Sequence, residues 1–416
     1  MSVVGSRRRV VVGAVALLAL VASALIGYRV LAPAEVVTVA RTGWPAPATP
    51  PVGVLGRLPA APLIVEGRVR VYAADRQVYA DQPADAPNRV TPFWSYRRWP
   101  ARLDGVLAEG TTVVSRWSDG QLVALDARTG RVAWRAEGPR PRAGQAARRT
   151  GAATVWDPQG VWVARGADGR AALAVSGEGR LTGYALGDGR RLWQVDGGRG
   201  CRTDLGTTAT RVMSVDVCAG SPVVEFRDAG TGAVALRWRP PGASVGVTVT
   251  PLGCLTPRSR CRGLRTTGPG DASGRGWLVG AGEPVPAPAL DAEGTLLAGE
   301  LAVGPKGPVL TGWEPRTGKE RWRRGDLGPV RILAVEPGRL HVLTEDRDVV
   351  TLDPVTGAQR SRFPFTLGRD GLAFRPGMAY AVDGYLAVER LREDATPDDD
   401  DQGWFLQAEP VLLAAS

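Results

Sequence analysis

The chain has 416 residues, of which 52 are Lys or Arg and 42 are Asp or Glu, for a formal net charge of +10. One His and four Cys exclude a histidine-built metal centre, and no nucleophile elbow, phosphate-cradling glycine loop or His-bearing metal motif occurs. The charge excess does not indicate nucleic acid: Arg7, Arg8, Arg9 and Arg29 carry four of the ten charges, no nucleic-acid module is visible, and the near-absence of Lys reads as genomic Arg bias.

Three Arg precede the uncharged apolar segment Val10 to Ile26, which ends at Gly27-Tyr28-Arg29. That length stands at the short end of the roughly 17–25 residues that span a bilayer, and exceeds the about 7–15 apolar residues of a signal peptide. The reading is a cytoplasmic basic N-terminus over 1–9 and a transmembrane anchor or uncleaved signal over 10–28. The remainder is then exported, a single-pass cell-membrane protein with an extracytoplasmic domain. Small-residue sites at Ala22-Ser23-Ala24 and Ala32-Pro33-Ala34 keep a cleaved signal as the alternative. Residues 29–57, rich in Pro, Ala and Gly, read as a linker in which Trp44 has no structural explanation.

From residue 58 the chain turns to short strand-like runs, and a phrase begins to repeat: an apolar run, Asp or a stand-in, Thr-Gly, then an aromatic. The copies are LVALDARTGRVAW (Asp126, Gly130, Trp134), LTGYALGDGRRLW (Gly189, Trp193), VVEFRDAGTGAVALRW (Gly232, Trp238), TGWEPRTGKERW (Gly318, Trp322) and VVTLDPVTGAQRSRF (Gly357, Phe363). The Asp carboxylate accepts from backbone N–H groups two or three residues on, and the Gly supplies the positive φ of a tight hairpin. The aromatic follows four or six residues after the Gly; a shift of two keeps the same sheet face. Turn glycines 189 and 232 stand 43 apart, 318 and 357 stand 39 apart, and 232 and 318 stand 86 apart. The double interval predicts a unit without the phrase between 243 and 287. A period near 40 is that of a four-stranded propeller blade. With strand-like segments at 58–100 and 369–415, the expectation is an all-β propeller over 58–416 of eight four-stranded blades, with seven as the alternative count.

Ala124, Asp126, Thr129, Gly130 and Trp134 together resemble the propeller repeat of the pyrroloquinoline-quinone (PQQ) dehydrogenase family. That family includes quinone-cofactor dehydrogenases, the lipoprotein scaffold of bacterial outer-membrane assembly, and membrane-tethered proteins of unassigned role. The resemblance implies, for its enzymes, a vicinal Cys-Cys disulfide over the quinone, a calcium held by Glu and Asn, and a catalytic Asp. No adjacent Cys occur here and no residues carry over onto those roles, so neither enzyme activity nor cofactor nor metal is expected. The expected function is a non-catalytic tethered scaffold, monomeric, that binds a protein or an anionic envelope partner. The alternatives are a ligand-sensing ectodomain and a PQQ-dependent dehydrogenase.

Cys201, Cys218, Cys254 and Cys261 form two local pairs, read as disulfides 201–218 and 254–261 among the three connectivities open to four Cys. His341 in LHVLTED reads as a packed strand residue. The Arg clusters at 97–98, 140–149, 258–265 and 321–324 read as solvated strand edges that resist edge pairing. The run Asp398–Asp401 reads as a solvated loop, lacking the ligand spacing of a calcium site.

Overall fold

Strands of two to eight residues separated by glycine turns form eight antiparallel sheets, each built from strands consecutive in sequence except two, which also take in a strand from the N-terminal segment. The structure, a computed structural model, describes residues 15–27, 34–142, 150–196, 201–218, 220–255, 258–270, 274–366, 374–392 and 410–416. Blade 1 comprises Leu63–Val65, Val69–Ala74, Gln77–Asp81 and Trp94–Trp99; blade 2 comprises Leu103–Glu109, Thr112–Trp117, Gln121–Asp126 and Val132–Glu137. Blades 3 to 7 repeat this plan from Val161, Arg202, Thr248, Leu296 and Val330. Blade 8 takes Arg375–Val382, Tyr385–Leu391 and Val411–Ala415, and its outer strand is Gly53–Leu58 from the other end of the chain. The count is therefore eight, and the unit without the phrase is blade 5, from Thr248 to Pro286.

Within each blade we label the strands a to d from the channel outwards. Because neighbours are antiparallel, the a–b and c–d turns of every blade lie at one end of the propeller. The b–c turns and the crossings to the next blade lie at the other. The cores form between blades: Val114, Leu122 and Trp134 of blade 2 pack on Val161, Leu173 and Tyr184 of blade 3. Leu301 and Val303 of blade 6 likewise meet Leu340 and Val342 of blade 7.

The repeated phrase builds these seams. Asp126 Oδ1 accepts from Arg128 N at 2.9 Å, Asp228 Oδ1 from Thr231 N at 2.8 Å, and Asp353 Oδ1 from Val355 N at 2.9 Å; Glu314 replaces Asp in blade 6. The five turn glycines take φ between 68° and 72°. Each seam tryptophan reaches the turn of the following blade. Trp94 donates Nε1–H to Ala127 O at 2.7 Å, Trp134 to Leu186 O at 2.8 Å, Trp193 to Ala229 O at 2.8 Å and Trp322 to Pro354 O at 3.1 Å. The ring then lies against that turn's glycine: a Cβ on Gly130, Gly189, Gly232 or Gly357 would come within 2.4–2.7 Å of the tryptophan side chain. Blade 5 has no such tryptophan, and at its seam with blade 6 the backbone N–H of Ala289 donates to Pro315 O at 3.3 Å instead. Gly318 in that turn faces open space. Trp238 packs edge-on against Trp277 at 5.0 Å, and Phe363 is buried beside Val349 and Leu386.

Two expectations about the N-terminus are corrected. The helix described there covers 15–27; at about 1.5 Å per residue it reaches ~20 Å, against the ~30 Å of a bilayer core. Among the described residues no helix is long and apolar enough to cross a membrane, so the single-pass anchor and the cell-membrane placement built on it are not supported. Residues 1–14 and 28–33, with the flanking arginines, lie outside the described residues. The segment expected as linker is built into the propeller. Ala34–Thr38 pairs antiparallel with Trp94–Trp99 as a fifth strand of blade 1, and Glu35 bridges Arg98 and Arg135. Trp44 packs on the blade 1 core under Arg68, whose guanidinium carbon is 5.9 Å from the ring. Composition hid these strands because edge pairing uses backbone groups, which Pro- and Ala-rich flanks do not reveal.

Candidate binding site at the channel mouth

The eight inner strands surround an axial channel, and the crossing from blade 2 to blade 3 closes one end of it. Residues Ala152–Trp156 form one helical turn there with Val155 and Trp156 buried; Trp156 donates to Pro62 O at 2.8 Å and stacks on Tyr380 with ring centroids 5.8 Å apart. The channel is thereby a cup of about 410 Å³ with Val155 and Pro158 at its floor and Leu63, Val161, Val163 and Tyr380 in its walls.

The rim is made by a–b hairpin tips. Blades 1, 2, 7 and 8 each place an acid just before the tip glycine: Glu66-Gly67, Glu109-Gly110, Glu336-Pro337-Gly338 and Asp383-Gly384. Glu66 and Asp383 have φ of 56° and 52°, followed by Gly at 61° and 82°, the backbone of a two-residue turn with both central φ positive. This second repeat did not stand out in the sequence because an acid beside a turn glycine is ordinary hairpin chemistry. Its signal is acid-Gly between two β runs, in IVEGRVRV, LAEGTTVV, VEPGRLHV and AVDGYLAV.

The opposite side of the rim is basic. Cys254 and Cys261 are joined, with Cα atoms 3.7 Å apart, and their loop turns down into the channel. Thr207 N donates to Arg258 O at 2.8 Å, and Val163 N donates to Ser259 Oγ at 3.2 Å. Arg258 and Arg260 hold φ of 56° and 54° there. Arg260 lines the cup and pairs with Glu109, which also meets Arg165 at 3.3 Å. Glu336 is buried and takes His341 Nε2 at 3.3 Å, Gly384 N at 3.1 Å and Arg339 at 3.7 Å. His341 is fully buried in strand b of blade 7, with Nδ1 3.0 Å from Thr351 Oγ1, as a packed strand residue. Burial, and next the charges of Glu336 and Glu66, raise the Asp383 carboxyl above its ordinary pKa; burial with Asp383 and Glu336 raises the Tyr380 phenol far above its own.

The repeat residues singled out in the sequence, Asp126 to Phe363, line the seams between blades and not the cup. Cys201 joins Cys218 at the opposite end of blade 4, Cα atoms 5.1 Å apart. With Asp216 these cysteines are the one group of described residues spaced for a metal, but their sulfurs are bonded to each other. The run Asp398–Asp401 and Trp404 lie outside the described residues. The cup does not fit pyrroloquinoline quinone: that cofactor is a tricarboxylate, whereas the rim presents four carboxylates, and Arg260 and Arg339 already face Glu109 and Glu336.

A family model described as outer membrane protein assembly factor BamB matches residues 44–155, 91–251 and 273–384. No curated protein matches the chain. Among solved structures, BamB from Moraxella catarrhalis is 15% identical over 88% of this chain and 98% of its own, with a TM-score of 0.44. The computationally designed Ika8 protein is 15% identical over 87% and 99%, with a TM-score of 0.49. A quinohemoprotein alcohol dehydrogenase from Pseudomonas putida HK5 is 13% identical over 91% and 76%, with a TM-score of 0.42. At these identities and scores the neighbours carry no functional argument.

Proposed function

We propose a binding role for this chain, which belongs to the propeller family described as outer membrane protein assembly factor BamB. It is a non-catalytic scaffold that engages a protein partner through the face bearing the a–b and c–d turns. The observation that carries this reading is the cup opening on that face, floored by a helix and rimmed by acids of blades 7, 8, 1 and 2 with Arg260 facing them from blade 5. Electrostatic asymmetry of this kind orients a partner and speeds encounter more than it adds affinity. Substrate chemistry has no support there: the rim carries the wrong charge for the family's quinone, and His341 is enclosed within blade 7.

A photo-crosslinking amino acid at Pro337 on the mouth and another at Glu178 on the opposite end test the assignment. Crosslinks to one protein from position 337 and none from 178 are the expected result. Crosslinking from 178 alone refutes the choice of face. Stoichiometric quinone uptake with turnover refutes the scaffold reading itself.

A further inference from the structure

The outermost strand of blade 1 differs from those of the other blades. In blades 2, 3, 4, 6, 7 and 8 the outer strand carries an arginine and breaks register against its neighbour. In blade 5 it is two residues long and ends in Pro286. Cations, bulges, proline and shortness are the devices that keep a sheet edge from accepting another strand. Ala34–Thr38 has none of them. Its sequence, AEVVT, holds no cation and no proline, and it pairs with Trp94–Trp99 over five consecutive residues without a shift. All of it is exposed, Val36 by 58% and Val37 by 40%, and no strand among the described residues takes its other edge. Nor do Arg97 and Arg98 keep the edge beneath it open: the chain has itself added a strand there, with Glu35 meeting Arg98.

The surroundings of this edge are basic. Arg97 stands directly opposite Val36, hence on the same face of the sheet, and is exposed. Arg135 reaches Glu35 from blade 2 with 44% of its side chain exposed. Arg41 and Arg131 are exposed just past the strand, where Arg131 lies beside Val39 and Ala40. A second copy of the chain would bring the same arginines and the same net charge of +10 to the contact, so like charges oppose that pairing. We propose that blade 1 accepts an extended, acidic segment of another protein as a sixth strand along Ala34–Thr38, its carboxylates on the Arg97 face and its apolar residues beside Val37. Backbone hydrogen bonds then supply the affinity, and the alternate side chains supply the choice of partner. The contact lies on the outer rim of the propeller and adds a second surface to the one assigned above.

The test uses the full chain and a fluorescently labelled, amidated peptide TEVEVET as probe. Its controls are the charge-reversed TKVKVKT and a TEVEVET N-methylated at two consecutive central residues, which removes a backbone donor from each edge. Saturable binding by anisotropy is expected, about tenfold weaker for either control. Hydrogen exchange should slow within 34–38, since alternate amides of an edge strand face water until a neighbour pairs with them. The Arg97→Glu/Arg131→Glu variant should bind severalfold more weakly; if it misfolds, the peptide controls still decide. No saturable binding by ~1 mM probe overturns the proposal. So does equal binding of the N-methylated peptide, which denies backbone pairing, or of the lysine peptide, which denies the charge argument. Binding without slower exchange at 34–38 places the peptide elsewhere and also overturns it. A doubled mass in light scattering of the free chain, with 34–38 already protected, gives the edge to a second copy. Any of these failures leaves crosslinking from position 337, and the reading it tests, unaffected.

Discussion

Gly189→Ala and Gly318→Ala make the same change in the same turn phrase, and the structure separates their costs. Both glycines have left-handed φ, 72° and 68°, which costs an L-residue about 1–2 kcal/mol. A Cβ on Gly318 meets nothing within 4 Å, so that is the whole penalty. A Cβ on Gly189 would lie 2.5 Å from Cε3 of Trp134, a ring fixed by its bond to Leu186 O and only 7% exposed. Displacing the indole disturbs that hydrogen bond and its packing, adding about 1–3 kcal/mol. The two terms come apart in a cycle with Trp134→Ala, which by itself costs about 3–5 kcal/mol. In that background Gly189→Ala should retain only its φ penalty, leaving a coupling of about 1–3 kcal/mol. Guanidinium unfolding midpoints, read by blade-specific hydrogen exchange as well as circular dichroism, measure this without assuming one transition for eight blades. Equal losses for Gly189→Ala and Gly318→Ala, or strict additivity with Trp134→Ala, would refute the account of the seam.

The Arg70–Asp81 pair is wholly buried at 2.7 Å, with Arg70 also donating to Ala86 O and Asn88 O, so Arg70→Ala should cost about 3–5 kcal/mol by stranding a carboxylate; an unchanged melting temperature contradicts it. Removing Cys201–Cys218, which closes 17 residues, should cost about 3 kcal/mol, and removing Cys254–Cys261, which closes 7, somewhat less. Peptide mapping without reduction checks the pairing, and a 218–254 link contradicts it. Asp383 has a folded pKa raised above the ordinary Asp value of 3.8, so its contribution is most favourable below that value and is lost as pH climbs through the raised one. Asp383→Asn should therefore melt no lower than the parent at neutral pH, with its advantage fading in acid. Destabilisation at neutral pH and not at pH 3 is the contrary outcome.

The seams were half legible. Asp126-x-x-Thr129-Gly130 specifies its own hairpin through contacts two to four residues long, so the turns and their period could be read locally. The reason for the tryptophan could not be, since Trp134 answers to Leu186 and Gly189 in the next blade, a pairing only the closed ring creates. Blade 5 was visible as a gap in spacing, but its substitute for the indole, the Ala289 amide, leaves no side-chain trace. The cup was missed for a related reason. Its acids are ordinary turn residues in each hairpin, and they become a site only when blades 7, 8, 1 and 2 stand side by side. The apolar N-terminal run suggested an anchor through composition alone, whereas no helix among the described residues is long and apolar enough to cross a membrane.

Strand Val411–Ala415 is held between Tyr385–Leu391 and Gly53–Leu58, so the circle is fastened by residues that a ribosome makes some 360 positions apart. At about 5–20 residues per second, that interval is tens of seconds, for most of which blade 8 has only its outer strand and the nascent chain stays open. A message cut short before codon 411 yields an arc with two bare edges, which invites strand addition from other chains and proteolysis. Completion of the circle thus reports that translation reached this point. Moving the chain breakpoint to a crossing between two blades, with 53–58 and 411–415 then joined by a covalent loop, should remove that dependence.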